Sequence, residues 1–302
     1  MKTPIPIFLF HIPKTGGTAV FATFHAALGN AHVLQINDTD PQRTVLRVQR
    51  HLALGDTLLF RGHLPPISFE TENRLLRTVV MREPLDRMIS HFCFVHMLRH
   101  DQPLDFAFFR GRPGYRASRF NEDDIEAWIA ARHHDNTQTR FLAQQRGGKL
   151  DASALEAAKE RLDHCQLVGV TENLGRYMAL LAQLAGLDVR IPFRANSAPR
   201  DILDIDKDRL RRRLEPYIAF DSQLHEYARD RFERLAAQHP ELGSSPLLST
   251  PQLAKPWSLN ERFLSLRHAN PRELWQRWRK RYWRYINRRR DTTAKSTKSA
   301  HL

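Results

Sequence analysis

Only 2 of the 302 residues are cysteine, Cys93 and Cys165. They lack the spacing of a metal site, so neither a disulfide framework nor a zinc module organises the chain, and both thiols are expected to be buried and free. No run of about 20 apolar residues occurs, which excludes a hydropathic membrane span. The first apolar stretch, Ile5 to Phe10, is too short for a signal peptide and runs straight into a glycine-containing loop, so cytoplasmic residence is expected. Acidic residues are scarce beside basic ones, 33 against 47, giving a formal net charge of +14. That balance points to an anionic partner, whether nucleic acid, anionic lipid or an acidic substrate. Internal repeats and long low-complexity tracts are missing too. With 41% hydrophobic residues, a chain of this length buries one substantial α/β core and carries an appendage.

What is present begins with His11-Ile12-Pro13-Lys14-Thr15-Gly16-Gly17-Thr18. The apolar run before it reads as a short buried strand. The segment from Thr18 to Leu28 has helical spacing, through Val20, Phe21, Phe24, Ala27 and Leu28. The glycine pair therefore falls at a helix N-terminus. There the backbone turns tightly, no Cβ screens its N–H groups, and the helix dipole favours an anion. Lys14 adds a full positive charge. The order differs from a Walker A loop, in which Gly and four spacers precede Gly-Lys-Ser/Thr. Here the lysine comes before the glycines, which points away from Mg²⁺-assisted nucleoside triphosphate chemistry.

A second element is Arg77-Thr78-Val79-Val80-Met81-Arg82-Glu83-Pro84-Leu85-Asp86-Arg87-Met88-Ile89-Ser90. Thr78 to Met81 reads as another buried strand, and Pro84 suits the first turn of a helix, where its missing N–H costs nothing. Arg82 then stands where strand gives way to helix. Ser90 lies six residues beyond Pro84, roughly 9 Å along the helix, so a long arginine and a helical serine can address one phosphate. The alternative is that Arg82 pairs with Glu83 or Asp86 on the surface.

A third strand end is Leu58-Leu59-Phe60 followed by Arg61-Gly62-His63. Ligands of open parallel sheets collect beyond the carboxyl ends of the strands, and Lys14, His63 and Arg82 each follow such an end. With an ordinary pKa of about 6.5, histidine is the natural general base near neutrality. His63 is the candidate and His11 its competitor, although His11's place at the loop entrance suggests packing or loop shaping.

Together these segments resemble the sulfotransferases that use 3′-phosphoadenosine 5′-phosphosulfate (PAPS), most closely the branch with heparan sulfate 2-O- and uronyl sulfotransferases. His11 to Thr18 resembles that family's 5′-phosphosulfate loop, and Arg82-Glu83-Pro84-Leu85-Asp86-Arg87 with Ser90 is similar to its 3′-phosphate motif. Arg61-Gly62-His63 resembles the strand end carrying the family's catalytic histidine. Asn136 to Leu142 and Val168 to Leu174 are weaker similarities, so matches run from about residue 5 to about residue 237. Two departures are Glu83, where Asp is commoner, and Ala19, where a second hydroxyl residue is frequent. The resemblance implies a three-layer α/β sandwich with a central parallel sheet, P-loop nucleotide-hydrolase-like topology and a helix-rich second half. It implies PAPS as sulfuryl donor, no metal, and a carbohydrate or glycan hydroxyl as acceptor. Lys14, Thr15, Gly16, Gly17, Thr18, Ala19, Arg82 and Ser90 would bind the donor, with His63 and Lys14 catalytic.

Other polar segments give expectations of their own. Asn136 and Arg140 share a helix face and could meet the acceptor, whereas Gln138 diverges from them. Arg194, Asn196, Ser197 and Arg200 could form a basic lid or a solvated loop. Thr171 reads as a helix N-cap. Beyond the first half, a helical region is expected from Glu122 to about Leu162. A strand follows at Gln166–Val170, and then helices near 172–185, 201–213 and 221–237.

The expected catalytic domain is 1–240. A linker with a short helical segment follows at 241–270, where Gly243-Ser244-Ser245-Pro246 and Ser249-Thr250-Pro251 break the pattern. Residues 271–302 are a basic aromatic helix and a polar tail. Leu274, Trp275, Trp278, Tyr282 and Tyr285 follow helical spacing among nine Arg and Lys residues of 271–290. Such a helix suits an anionic membrane surface, docking on the catalytic domain, or polyanion binding. A glycan or glycolipid acceptor at the inner membrane face is compatible with it. The rival functions are a nucleic-acid or polyanion-binding protein with a degenerate phosphate site, which predicts steep salt dependence, and a nucleotide-dependent kinase.

Overall fold

The computed structural model describes residues 4–36, 40–63, 73–97, 122–132, 134–145, 147–187 and 205–240. The chain divides into two units, residues 1–252 and 253–302. All described residues belong to the first. The 271–290 helix, the 241–270 linker and the Arg194–Arg200 loop lie outside them.

Five strands form one all-parallel sheet: β1 (Ile7–Phe10), β2 (Val33–Ile36), β3 (Leu59–Gly62), β4 (Leu76–Met81) and β5 (Leu167–Val170), in the order β2-β3-β1-β4-β5. Every residue of β1, β3, β4 and β5 is buried. Such burial requires cover on both faces, which is why these strands read as continuous apolar runs without alternation. The protein is therefore α/β with a central parallel sheet, and its burial pattern suits helix layers on either side.

The segment between the first helix and β3 holds β2 and an amphipathic helix. Helices α1 (Gly17–Leu28), α2 (Pro41–Leu54) and α3 (Pro84–Met97) alternate with the strands. Asp40 caps α2, accepting the N–H groups of Gln42 and Arg43 at 3.0 and 3.4 Å. Glu83 does the same for α3, taking Leu85 and Asp86 N–H at 3.2 and 2.8 Å. The expected helical region from Glu122 onward is three helices: α4 (Glu122–Arg132), α5 (Thr137–Ala143) and α6 (Ala152–Asp163). Then come β5, α7 (Leu174–Leu184) and α8 (Lys207–Ala237).

Two expected helices in the last part prove to be one. Helix α8 continues through Pro216, a residue that removes a ladder hydrogen bond and crowds the preceding turn. Asn136 enters the ladder just after it. The Asn136 N–H donates to Tyr217 O at 2.7 Å, and its Oδ1 accepts Phe220 and Asp221 N–H at 2.9 and 3.0 Å. Asn136 thus serves the turn that follows the proline, whereas the bond Pro216 removes is the one to Arg212 O a turn earlier.

The main core lies around the sheet. A second, helical core joins Leu85, Met88, Ile89 and Phe92 of α3, Ile125, Trp128 and Ile129 of α4, and Leu210, Leu214 and Ile218 of α8. It fixes α3, and with α3 the residues that follow β4. Cys165 is a buried free thiol, as expected, and burial pushes it up to about 12. Cys93 lies in α3 with its side chain outside the described set. Among the described residues no helix is long and apolar enough to cross a membrane.

Candidate active site

Because all five strands run the same way, the residues after each carboxyl end share one edge of the sheet. His11 to Thr18 follow β1, His63 follows β3, Arg82 follows β4 and Thr171 follows β5. The His11 N–H extends the β1–β3 ladder by donating to Gly62 O at 2.8 Å, so His11 and His63 leave the sheet side by side.

The chain then turns through Lys14 and Gly16, both in the left-handed region at φ 71° and 86°. Glycine adopts this freely, while at Lys14 it costs on the order of 1 kcal/mol. The Lys14 carbonyl accepts Arg82 Nη1 at 3.2 Å. Thr15 corrects one expectation. Its hydroxyl is buried and donates to Ile12 O at 3.0 Å, so it shapes the loop. The Ala19 N–H closes the first turn on Gly16 O at 2.8 Å. No side chain caps α1. Among the described residues, the N–H groups of Gly17 and Thr18 are the donors this helix end leaves open. The exposed Thr18 hydroxyl accepts Arg61 Nη2 at 3.1 Å.

Gly17 has a structural reason to be glycine. A Cβ there would stand 2.4 Å from His11 Cδ2, so the His11 ring packs where any side chain on Gly17 would go. That ring lies 3.3 Å from His63, measured Nδ1 to Nε2, and the His63 Nδ1–H donates to His11 O at 2.8 Å. Arg61 Nη2 sits 2.9 and 3.0 Å from the two His11 ring nitrogens. Burial, then the charges of Arg61, His63 and Lys14, push His11 down to about 2, so it stays neutral. His63 keeps exposed surface, yet desolvation of its ring is the main cause that holds it below the ordinary histidine value. A neutral His63 with its proton on Nδ1 carries the lone pair on Nε2, the form a general base requires.

Opposite, Arg82 is held by its backbone. Gln138 Oε1 accepts its N–H at 3.0 Å and Gln138 Nε2 donates to its carbonyl at 2.8 Å. The Thr171 hydroxyl stands 2.8 Å from Thr15 O and 2.9 Å from Met81 O, tying the Lys14 loop to the end of β4. Thr171 is therefore a tie between loops and no side-chain cap forms there. Glu83, the alternative partner considered for Arg82, is instead engaged by Arg211.

Ser90 is buried on α3, one turn beyond Arg87. Arg87 is wholly buried. Its Nη2 donates to Thr137 Oγ1 at 3.0 Å, while Nε and Nη1 have no partner among the described residues. His91 Nδ1 is likewise without one, and its ring stands 5.3 Å from Trp128 and 4.9 Å from His134. Burial, reinforced by Arg87, His134 and Lys14, pushes His91 down to about 3. Uncapped N–H groups with Lys14 and Arg82 make this edge of the sheet suited to a polyanionic ligand. No cluster of metal-ligating side chains occurs among the described residues.

The chain matches no family model and no curated protein.

The pair expected to meet the acceptor does not form a polar face. Asn136 is buried in the α8 ladder, and Arg140 pairs with Asp135 at 2.7 Å and donates to Gly148 O at 3.0 Å. Gln138 and Thr139 are fully buried, because Asp221 accepts Gln138 N–H, Thr139 N–H and the Thr139 hydroxyl at 3.1, 2.7 and 2.8 Å. Four contributors were not singled out by sequence: Arg61, Arg87, His91 and the grip of Gln138. A signal existed for one of them. Arg61 ends an apolar strand, a position at which a charge must find a partner.

Proposed function

We propose that the protein is a PAPS-dependent O-sulfotransferase acting on a hydroxyl of a carbohydrate or glycan. One observation carries the reading: the Lys14 loop, His63 and Arg82 converge at the carboxyl edge of a parallel sheet, with the Arg82 guanidinium on the Lys14 carbonyl at 3.2 Å. A strand order of β2-β3-β1-β4-β5 with the loop after the central β1 supports P-loop nucleotide-hydrolase-like topology.

Sulfuryl transfer from a phosphate–sulfate anhydride to a hydroxyl is an in-line displacement. The acceptor oxygen bonds to sulfur as the bond from sulfur to the phosphate oxygen breaks. Positioning and electrostatic stabilisation supply most of the rate in the analogous phosphoryl transfers. In this proposal His63 Nε2 takes the hydroxyl proton. Lys14 and the open N–H groups of Gly17 and Thr18 offset the charge left on the departing phosphate. Arg82 selects the 3′-phosphate, with Ser90 beside it on α3. Cytoplasmic residence, which the buried free Cys165 suits, and a membrane-surface role for the 271–290 helix belong to the same proposal.

The test is transfer of labelled sulfate from PAPS to a panel of glycans. Lys14→Ala and His63→Ala should each abolish turnover, and His63→Ala should still bind adenosine 3′,5′-bisphosphate. Wild-type turnover in His63→Ala would remove it as base. Transfer from ATP with Mg²⁺ in place of PAPS would favour the kinase reading.

A further inference from the structure

The open N–H groups of Gly17 and Thr18 have a buried cation beside them. Arg61 and His63 stand two positions apart along β3 and its continuation, so both side chains leave the same face of the strand. Contacts of Arg61 with Thr18 and Phe21 show that this is the face where α1 begins. Arg61 is only 9% exposed. Its Nη2 lies 3.1 Å from Thr18 Oγ1. It also lies 2.9 and 3.0 Å from Nδ1 and Nε2 of His11, near-equal distances that put it over the ring face and off both lone pairs. The guanidinium carbon is 5.1 Å from the centroid of the Phe21 ring. Ring faces exclude water from the cation and offer only the modest attraction of a π-system. Of its donors, the one on Thr18 alone meets an oxygen among the described residues, and no carboxylate pairs with it there. Burial pushes it down to about 10 with no acid to hold it up, so it still carries its charge at neutrality. A buried cation demands a counter-charge, and the described residues supply none.

The place of Arg61 says which anion it serves. In the proposed transfer the sulfuryl group must lie between the N–H groups that hold the departing phosphate and the nitrogen that takes the acceptor's proton. Arg61 reaches both ends. Through Nη2 it meets Thr18 of the phosphate loop, and it covers the His11 ring, whose Nδ1 stands 3.3 Å from His63 Nε2. Its charge is felt at His63, where it opposes protonation. We propose that Arg61 is a catalytic residue that binds the sulfuryl oxygens of the donor and aligns the sulfur between the leaving phosphate and the acceptor hydroxyl. The planar guanidinium fork suits two oxygens of one anion. As the acceptor oxygen bonds to sulfur, the bond from sulfur to the bridging oxygen breaks and its electron pair goes to the phosphate. The acceptor's proton goes to His63 Nε2, and Arg61 keeps all of its own. Because a guanidinium only donates, the Thr18 oxygen accepts from it, which leaves the Thr18 hydroxyl hydrogen for the 5′-phosphate. The inference rests on the sulfotransferase reading and adds to it a residue that senses the transferred group and not the nucleotide.

Adenosine 3′,5′-bisphosphate lacks the sulfuryl group, so comparing it with PAPS isolates the contact. Calorimetry with the bisphosphate and steady-state transfer from PAPS are measured on the full chain as wild type, Arg61→Leu and Arg61→Gln. Arg61→Gln keeps a donor for Thr18 without the charge, and so serves if the leucine variant does not fold. In both variants the affinity for the bisphosphate should be unchanged, while kcat/KM for PAPS falls on the order of 100-fold, the cost of misaligned reacting groups.

Wild-type kcat/KM for PAPS in either variant overturns the proposal. So does bisphosphate affinity that falls in step with turnover, which would make Arg61 a structural support of the loop. A loss confined to the KM of the acceptor would place the anion on the acceptor and overturn it as well. A wild type without sulfuryl transfer would overturn the sulfotransferase reading and this inference together, whereas an active wild type beside an equally active Arg61→Leu overturns this inference alone.

Discussion

Gln138 grips the Arg82 peptide from both sides, accepting its N–H at 3.0 Å and donating to its carbonyl at 2.8 Å. This fixes the residue following β4 independently of any ligand. Gln138→Leu should leave both backbone groups unpaired at about 1–3 kcal/mol each. Chemical denaturation should show the loss, and affinity for adenosine 3′,5′-bisphosphate should fall with it. Unchanged affinity in a folded variant would mean that the grip does not place Arg82 for binding.

Gly17→Ala introduces a Cβ at 2.4 Å from His11 Cδ2. The ring cannot retreat easily, being held by Arg61 and His63. Overpacking of this kind costs about 1–3 kcal/mol, and the displaced ring should reduce turnover more than nucleotide affinity. Denaturation and steady-state kinetics on the same variant separate the two effects, and full activity would contradict the packing account of the second glycine.

His63 is held below its ordinary value of about 6.5 chiefly by desolvation, with Arg61 adding to it against the opposing bond to the His11 carbonyl. The base is competent when neutral. The turnover rate should therefore rise with pH through a midpoint below about 6.5 and be level at neutrality. A pH–rate profile with its acid limb above 7 would contradict the assignment.

Acid stability follows from His11 and His91, pushed down to about 2 and about 3. Below about 6.5 the unfolded chain binds protons at these residues that the folded chain refuses. The stability they contribute is therefore full above that pH and declines as pH falls toward 3, by up to about 1.4 kcal/mol per pH unit for each group. His91→Phe, which keeps an aromatic ring against Trp128, should show a shallower decline between pH 6.5 and 4 in urea denaturation. Parallel curves for wild type and variant would contradict this.

Much of the fold was legible because β1, β3, β4 and β5 are buried on both faces and so announce themselves as apolar runs. Lys14, His63 and Arg82 were legible by position, each following such a run. What escaped was long-range pairing. Nothing near Asn136 in sequence reveals that it serves the turn after Pro216, about 80 residues away. Gln138 and Thr171 escaped for the same reason, since their partners, Arg82 for the first and the Thr15 and Met81 carbonyls for the second, are distant in sequence. Thr15 and Thr18 differ in fate, though both are hydroxyl residues in one loop: the first turns inward to Ile12, the second outward to Arg61. Spacing alone does not distinguish them.

The central claim is a donor site specific for a 3′-phosphorylated nucleotide. Calorimetric titration of the full chain with adenosine 3′,5′-bisphosphate, and separately with ATP and Mg²⁺, tests it on wild type and Arg82→Ala. Physiological ionic strength suppresses nonspecific anion binding. The account predicts binding that depends on the 3′-phosphate and weakens about 10–100-fold in Arg82→Ala, the worth of one charged hydrogen bond. Equal or tighter binding of ATP, or no binding by the folded protein, would contradict it.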